Sequence, residues 1–125
     1  MGDGKMLRVL EQFKEMGCWK GTIRERKKKF LWLNAELNKI FGKKTVLEFE
    51  IPDRFSLWHS SEHSVYYYEP VDIIVLVGRL SVVTYLHEYA HSLGYDEQMA
   101  TDWSREWFRI VFPEQMKKLV KERGE

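Results

Sequence analysis

The sequence predicts an α+β fold: a small, mostly antiparallel sheet with helices packed on it. Three observations carry that expectation. Apolar residues recur at helical spacing near the N-terminus and again after residue 80. Between those stretches, residues 45–77 hold short alternating or continuous apolar runs, as strands do. Glycines stand where the helical patterns stop, at Gly17, Gly42 and Gly94. At 125 residues the chain is long enough for one domain with a real core. We expect a single domain over 1–125. It divides into N-terminal helices (1–42), a small sheet (45–77), a pair of helices (79–112) and a C-terminal tail helix (113–125).

The elements follow in order. Lys5 to Met16 sets Leu7, Leu10, Phe13 and Met16 at helical spacing, and Gly17 and Gly21 break the pattern. Arg24 to Phe41 is a longer helix with Phe30, Leu33, Leu37, Ile40 and Phe41 facing inward, closed by Gly42. Its opening run, Arg24 to Lys29, invites an RNA reading. A solvated helical face is the better one, because 20 Lys and Arg against 19 Asp and Glu leave a net charge of +1. Thr45 to Ile51 alternates, with Leu47, Phe49 and Ile51 on one side. Pro52 to Ser64 reads as a polar loop. Val65 to Tyr68 and Val71 to Val77 are two more strands, the second apolar enough to be central. Leu80 to Leu93 contains no Pro or Gly and reads as a helix. Asp96 can cap another helix starting near Glu97, and Pro113 opens a short helix through Lys121.

Composition narrows the class. Apolar residues at 44% and aromatics at 14% fit a globular chain. A single cysteine, Cys18, excludes an internal disulfide and suits a reducing compartment. The first residues lack the apolar segment of a signal peptide, and Ile73 to Val77 is too short to span a bilayer. We expect a cytoplasmic protein with neither a nucleic-acid nor a membrane partner.

The chemistry is concentrated in His87-Glu88-Tyr89-Ala90-His91. Helical residues four apart share a face, so two imidazoles can reach one Zn²⁺. Glu88 is offset by about 100°. That sets it beside the metal, where it can take a proton from a water the metal activates. Val82, Tyr85, Leu86, Tyr89 and Leu93 form a broad apolar face, and the histidines lie nearly opposite. A third ligand is needed. No histidine follows His91, so Asp96, Glu97 and Asp102 are the candidates. Asp96 is wanted as a cap, and Asp102 falls beside Arg105 and Arg109. Glu97 shares a face with Ala100, Thr101, Ser104 and Phe108, three of them small enough for close approach to the histidine helix. We therefore assign His87, His91 and Glu97 to the metal and Glu88 to proton transfer.

His87-Glu88-x-x-His91 followed by Glu97-x-x-Ala100 resembles the gluzincin branch of the zincin metallopeptidases. The size and layout look most like the minigluzincins of thermophilic prokaryotes. The chain departs at Thr101, where gluzincins often carry an acid. His87 to Glu97 also comes close to the metzincin pattern, which ends in His or Asp and adds a methionine turn. The resemblance implies a zinc-dependent metallopeptidase acting on peptides or unfolded protein. It implies an edge strand, here Tyr66-Tyr67-Tyr68, that pairs with an extended substrate. It also implies that a C-terminal segment can cover the cleft and keep a zymogen latent, the alternative being a helix that completes the core. His59, His63, Tyr95 and Arg105 are the candidate oxyanion donors. Trp58, Trp103 and Trp107 are expected as core or loop anchors. The competing function is a zinc-containing regulatory or binding protein without turnover.

Overall fold

The computed structural model describes residues 2–50, 65–78 and 80–122. The expected loop at 52–64, with Trp58, His59 and His63, lies outside the described residues. The chain is α+β. Its helices are α1 (Gly2–Glu15), α2 (Ile23–Phe41), α3 (Val82–Ser92), α4 (Glu97–Val111) and α5 (Pro113–Glu122). Its strands are β1 (Val46–Glu50), β2 (Val65–Tyr68) and β3 (Ile73–Val77).

The strand order is β1-β3-β2, so the most apolar strand is central, as its sequence predicts. Ile74, Val75 and Leu76 are buried. β2 runs antiparallel to β3, from Val65 opposite Leu76 to Tyr68 opposite Ile73. β1 runs parallel to β3, from Val46 beside Ile73 to Glu50 beside Val77. The sheet is therefore mixed, with one pair of each kind, rather than mostly antiparallel. Connection length explains it. A single 3₁₀ turn, Glu69–Val71, joins β2 to β3, and so short a link serves only an antiparallel pair. β1 is not tied to β3 by a short link and takes the other side. β3 also begins two residues later than expected. Pro70 sits in the 3₁₀ turn, and Asp72 takes a left-handed φ of 54° that a strand cannot use.

α1 buries Met6, Val9, Leu10 and Phe13. Met16, expected on that face, is 39% exposed because the helix ends at Glu15. α2 opens with a Thr22–Glu25 capping box and closes on Gly42 at φ 63°. Part of its basic run clamps the preceding loop. Arg26 donates to the carbonyls of Cys18 and Leu80, both at 2.9 Å, and Lys29 to those of Gly17 and Lys20, both at 3.0 Å. Arg24 and Lys28 are solvated.

A polar chain seats α3. The Tyr85 hydroxyl donates to Asn34 Oδ1 at 2.7 Å, and the Tyr89 hydroxyl donates to Asn38 Oδ1 at 2.8 Å. Both asparagines then donate to the Thr45 carbonyl, at 2.8 and 2.9 Å. The Thr45 hydroxyl donates to Asp72 Oδ1 at 3.0 Å, and the Tyr67 hydroxyl donates to the same oxygen at 2.6 Å. Donors and acceptors are thereby paired from α2 through α3 to the sheet, as burial demands. α5 packs Met116 into the core, with Leu119 and Val120 partly buried beside it. That packing supports a helix that completes the core. No helix among the described residues is long and apolar enough to cross a membrane.

Candidate metal centre

α3 begins at Val82 because Ser81 caps it, its Oγ accepting from the Thr84 N–H at 3.3 Å. Val82, Tyr85, Leu86 and Tyr89 are at most 2% exposed, so the inner face is the one the sequence predicts. His87, Glu88 and His91 are half-buried on the outer side. The helix ends in a Schellman turn. The Gly94 N–H donates to the His91 carbonyl at 2.9 Å, and the Tyr95 N–H donates to the Ala90 carbonyl at 3.1 Å. Gly94 supplies the positive φ, 92°, that this turn requires. Asp96 Oδ1 then accepts from the Met99 N–H at 2.8 Å and caps α4, so Glu97 is the first residue of that helix. Ala100 and Ser104 are buried, and their small side chains let α4 lie close along α3.

This arrangement brings three ligand atoms together. Glu97 Oε1 lies 3.2 Å from His87 Nε2 and 3.0 Å from His91 Nε2. The two nitrogens are 3.2 Å apart, with the rings at 81° to each other. Ligand atoms around a tetrahedral zinc with ~2.05 Å bonds are ~3.3 Å apart, so the spacing suits that ion. The chemistry of the donor set agrees. The Tyr95 carbonyl lies 2.9 Å from His91 Nδ1 and can only accept, so the ring proton sits on Nδ1. In the neutral ring His91 Nε2 is then a bare lone pair. It faces a carboxylate oxygen and a second imidazole nitrogen, an arrangement that needs a cation or shared protons to be stable. The Glu97 carboxyl reflects the same contact. Desolvation pushes it up, but hydrogen bonding and charge from His87 and His91 outweigh that and lower it.

Glu88 is the rival third ligand. His87, Glu88 and His91 each offer an atom within 4.8 Å of the others. Its Oε2, however, is 4.0 Å from His87 Nε2, outside the 3.0–3.2 Å triangle that Glu97 completes. Burial raises the Glu88 carboxyl from its ordinary value, assisted by the Glu97 charge. His87, His91 and a hydrogen bond from the Tyr67 backbone N–H oppose that shift. Asp102 is exposed and accepts from Gln98 Nε2 at 3.0 Å. Asp96 and Asp102 are thus both engaged away from the triangle. Cys18 is buried, which pushes its thiol up to about 11 and leaves it inert.

The triangle borders a cleft of about 470 Å³, whose lining includes Tyr67, Glu69, Glu88, His91, Tyr95 and Glu97. Of the oxyanion candidates among the described residues, Tyr95 lines this cleft and Arg105 does not. None of the described residues of α5 lines it. Trp103 meets Tyr95 and Phe41 edge-on, at 6.1 and 6.3 Å, and Trp107 is partly buried against the core, so both act as anchors. Sequence reasoning missed two contributors: the Tyr95 carbonyl on His91, and the Asn34–Asn38 pair behind α3. Only the last had a signal, two asparagines four apart beside Leu33 and Leu37 on an inward face. No protein-family model, no curated protein and no solved structure matches the chain.

Proposed function

We propose that this chain is a zinc-dependent metallopeptidase of gluzincin type, with His87, His91 and Glu97 as ligands and Glu88 as general base. The observation that carries this reading is the 3.0–3.2 Å convergence of His87 Nε2, His91 Nε2 and Glu97 Oε1. Zinc, when bound, lowers the pKa of water towards neutrality and polarises a carbonyl. Glu88 takes the proton from the attacking water and returns it to the leaving amine. Among the described residues β2 pairs on one side only, with β3, and Tyr67 lines the cleft. The strand thus offers backbone groups to an extended peptide or unfolded segment. Neither nucleic acid nor a membrane is invoked, and the reduced, buried Cys18 fits a cytoplasmic setting.

One observation favours a second reading. Glu88 offers a carboxylate oxygen within 4.8 Å of a nitrogen on each histidine, so it can close the site as a further protein ligand, as suits a zinc-containing regulatory or binding protein without turnover. The two readings part in one experiment. Zinc-loaded wild type and Glu88→Gln are incubated with an unfolded protein substrate, and zinc content is measured in parallel. The peptidase reading expects full zinc in both and a ~10²–10⁴-fold loss of hydrolysis in the variant. Zinc without hydrolysis in either protein selects the regulatory reading. Equal hydrolysis in both removes Glu88 from the chemistry.

A further inference from the structure

We propose that the Gly94–Tyr95 turn is the positioning device of the metal centre, acting through the Tyr95 carbonyl to hold the His91 ring with Nε2 free to bind. The proposal rests on the zinc reading of the same site. A Cβ added at Gly94 meets nothing within 4 Å, so space does not demand glycine there. The φ of 92° does. The two turn hydrogen bonds, Gly94 N–H to the His91 carbonyl and Tyr95 N–H to the Ala90 carbonyl, fold the chain back on α3. Folding back carries the Tyr95 carbonyl to 2.9 Å from His91 Nδ1. A carbonyl accepts and never donates, so this contact selects one of the two neutral tautomers and fixes the ring plane. The next residue, Asp96, caps α4, and Glu97 follows it into the triangle. One backbone geometry therefore sets two of the three ligand atoms.

The test reads zinc affinity by chelator competition and the His91 ring nitrogens by NMR in the zinc-free protein with its imidazole neutral. Wild type should show the proton on Nδ1. Gly94→Ala should bind zinc ~10–100-fold more weakly, the loss typical when the group orienting a metal ligand is disturbed. Its His91 ring should become a mixture of tautomers. Gly94→Asn accepts positive φ and should bind within a few-fold of wild type. A proton on Nε2 in the wild type would overturn the proposal. So would a Gly94→Ala variant that loses thermal stability while keeping wild-type affinity and tautomer, since the turn would then be structural only. Either result leaves the peptidase reading standing. A wild type that binds no zinc overturns both.

Discussion

Tyr85 and Tyr89 look inward from α3, and each gives its hydroxyl proton to an asparagine of α2. His87 and His91 look outward from the same helix, and their Nε2 atoms meet each other and a carboxylate oxygen at 3.0–3.2 Å. On the inner face each polar atom found a partner when the protein folded. On the outer face three atoms of metal-ligand type converge, and the proposed zinc site rests on that convergence. The difference separates packing from function on a single helix. A buried polar pair is complete in itself, whereas a cluster of ligand-type atoms on a cleft wall is open to a partner.

The contrast makes opposite demands on variants of the two faces. The largest effect belongs to the outer face. Binding energies of ~10–16 kcal/mol spread over four ligands give ~2.5–4 kcal/mol each, so His87→Ala or His91→Ala should weaken zinc binding by ~10²–10³-fold. The zinc-free thermal midpoint should move much less, because neither histidine is among the buried residues of the core. A large fall in that midpoint would mean the histidines are part of the core and would erase the contrast. The inner face should behave in reverse. Tyr85→Phe strands the buried Asn34 Oδ1 and should cost ~1–3 kcal/mol, with zinc affinity unchanged by titration. An unchanged denaturation midpoint would show that the polar chain behind α3 contributes nothing.

A smaller effect tests how the inner chain ends. Burial pushes the Asp72 carboxyl up, but the Tyr67 and Thr45 hydroxyls and the Lys43 ammonium outweigh it and hold it below the usual carboxylate value. A depressed folded pKa stabilises above the unfolded value, ~3.9, and that stability is lost as pH falls through the folded one. Asp72→Asn keeps a side chain that tolerates the left-handed φ of 54° and removes only the charge. It should lose ~1–2 kcal/mol near neutrality, the low end for a charged hydrogen bond on a partly exposed group. The gap to wild type should close below about pH 4, the range set by that unfolded value. A gap that stays constant down to acid pH would assign the loss to shape rather than charge.

The helices were legible because their signals are local: apolar spacing, the Asp96 cap, and glycines at the stops. The central place of β3 was legible from its apolar run. The direction of β1 was not, because pairing depends on how the chain travels between strands and leaves no mark within a five-residue segment. At the site, His87, Glu88 and His91 follow from helical periodicity alone. Glu97 needed the loop to be short and Ala100 and Ser104 to be small, both of which can be read from the sequence. The Tyr95 carbonyl could not be read, because backbone atoms are the same at every position and gain a role only when the fold aims them.

The most direct measurement is a crystal structure of the zinc-loaded protein with anomalous scattering recorded at the zinc edge. The account predicts one ion per chain, bonded to His87 Nε2, His91 Nε2 and a Glu97 oxygen at ~2.0–2.2 Å. An ion held by Glu88, Asp96 or Asp102 in place of Glu97, or no ion between the two histidines, would contradict it.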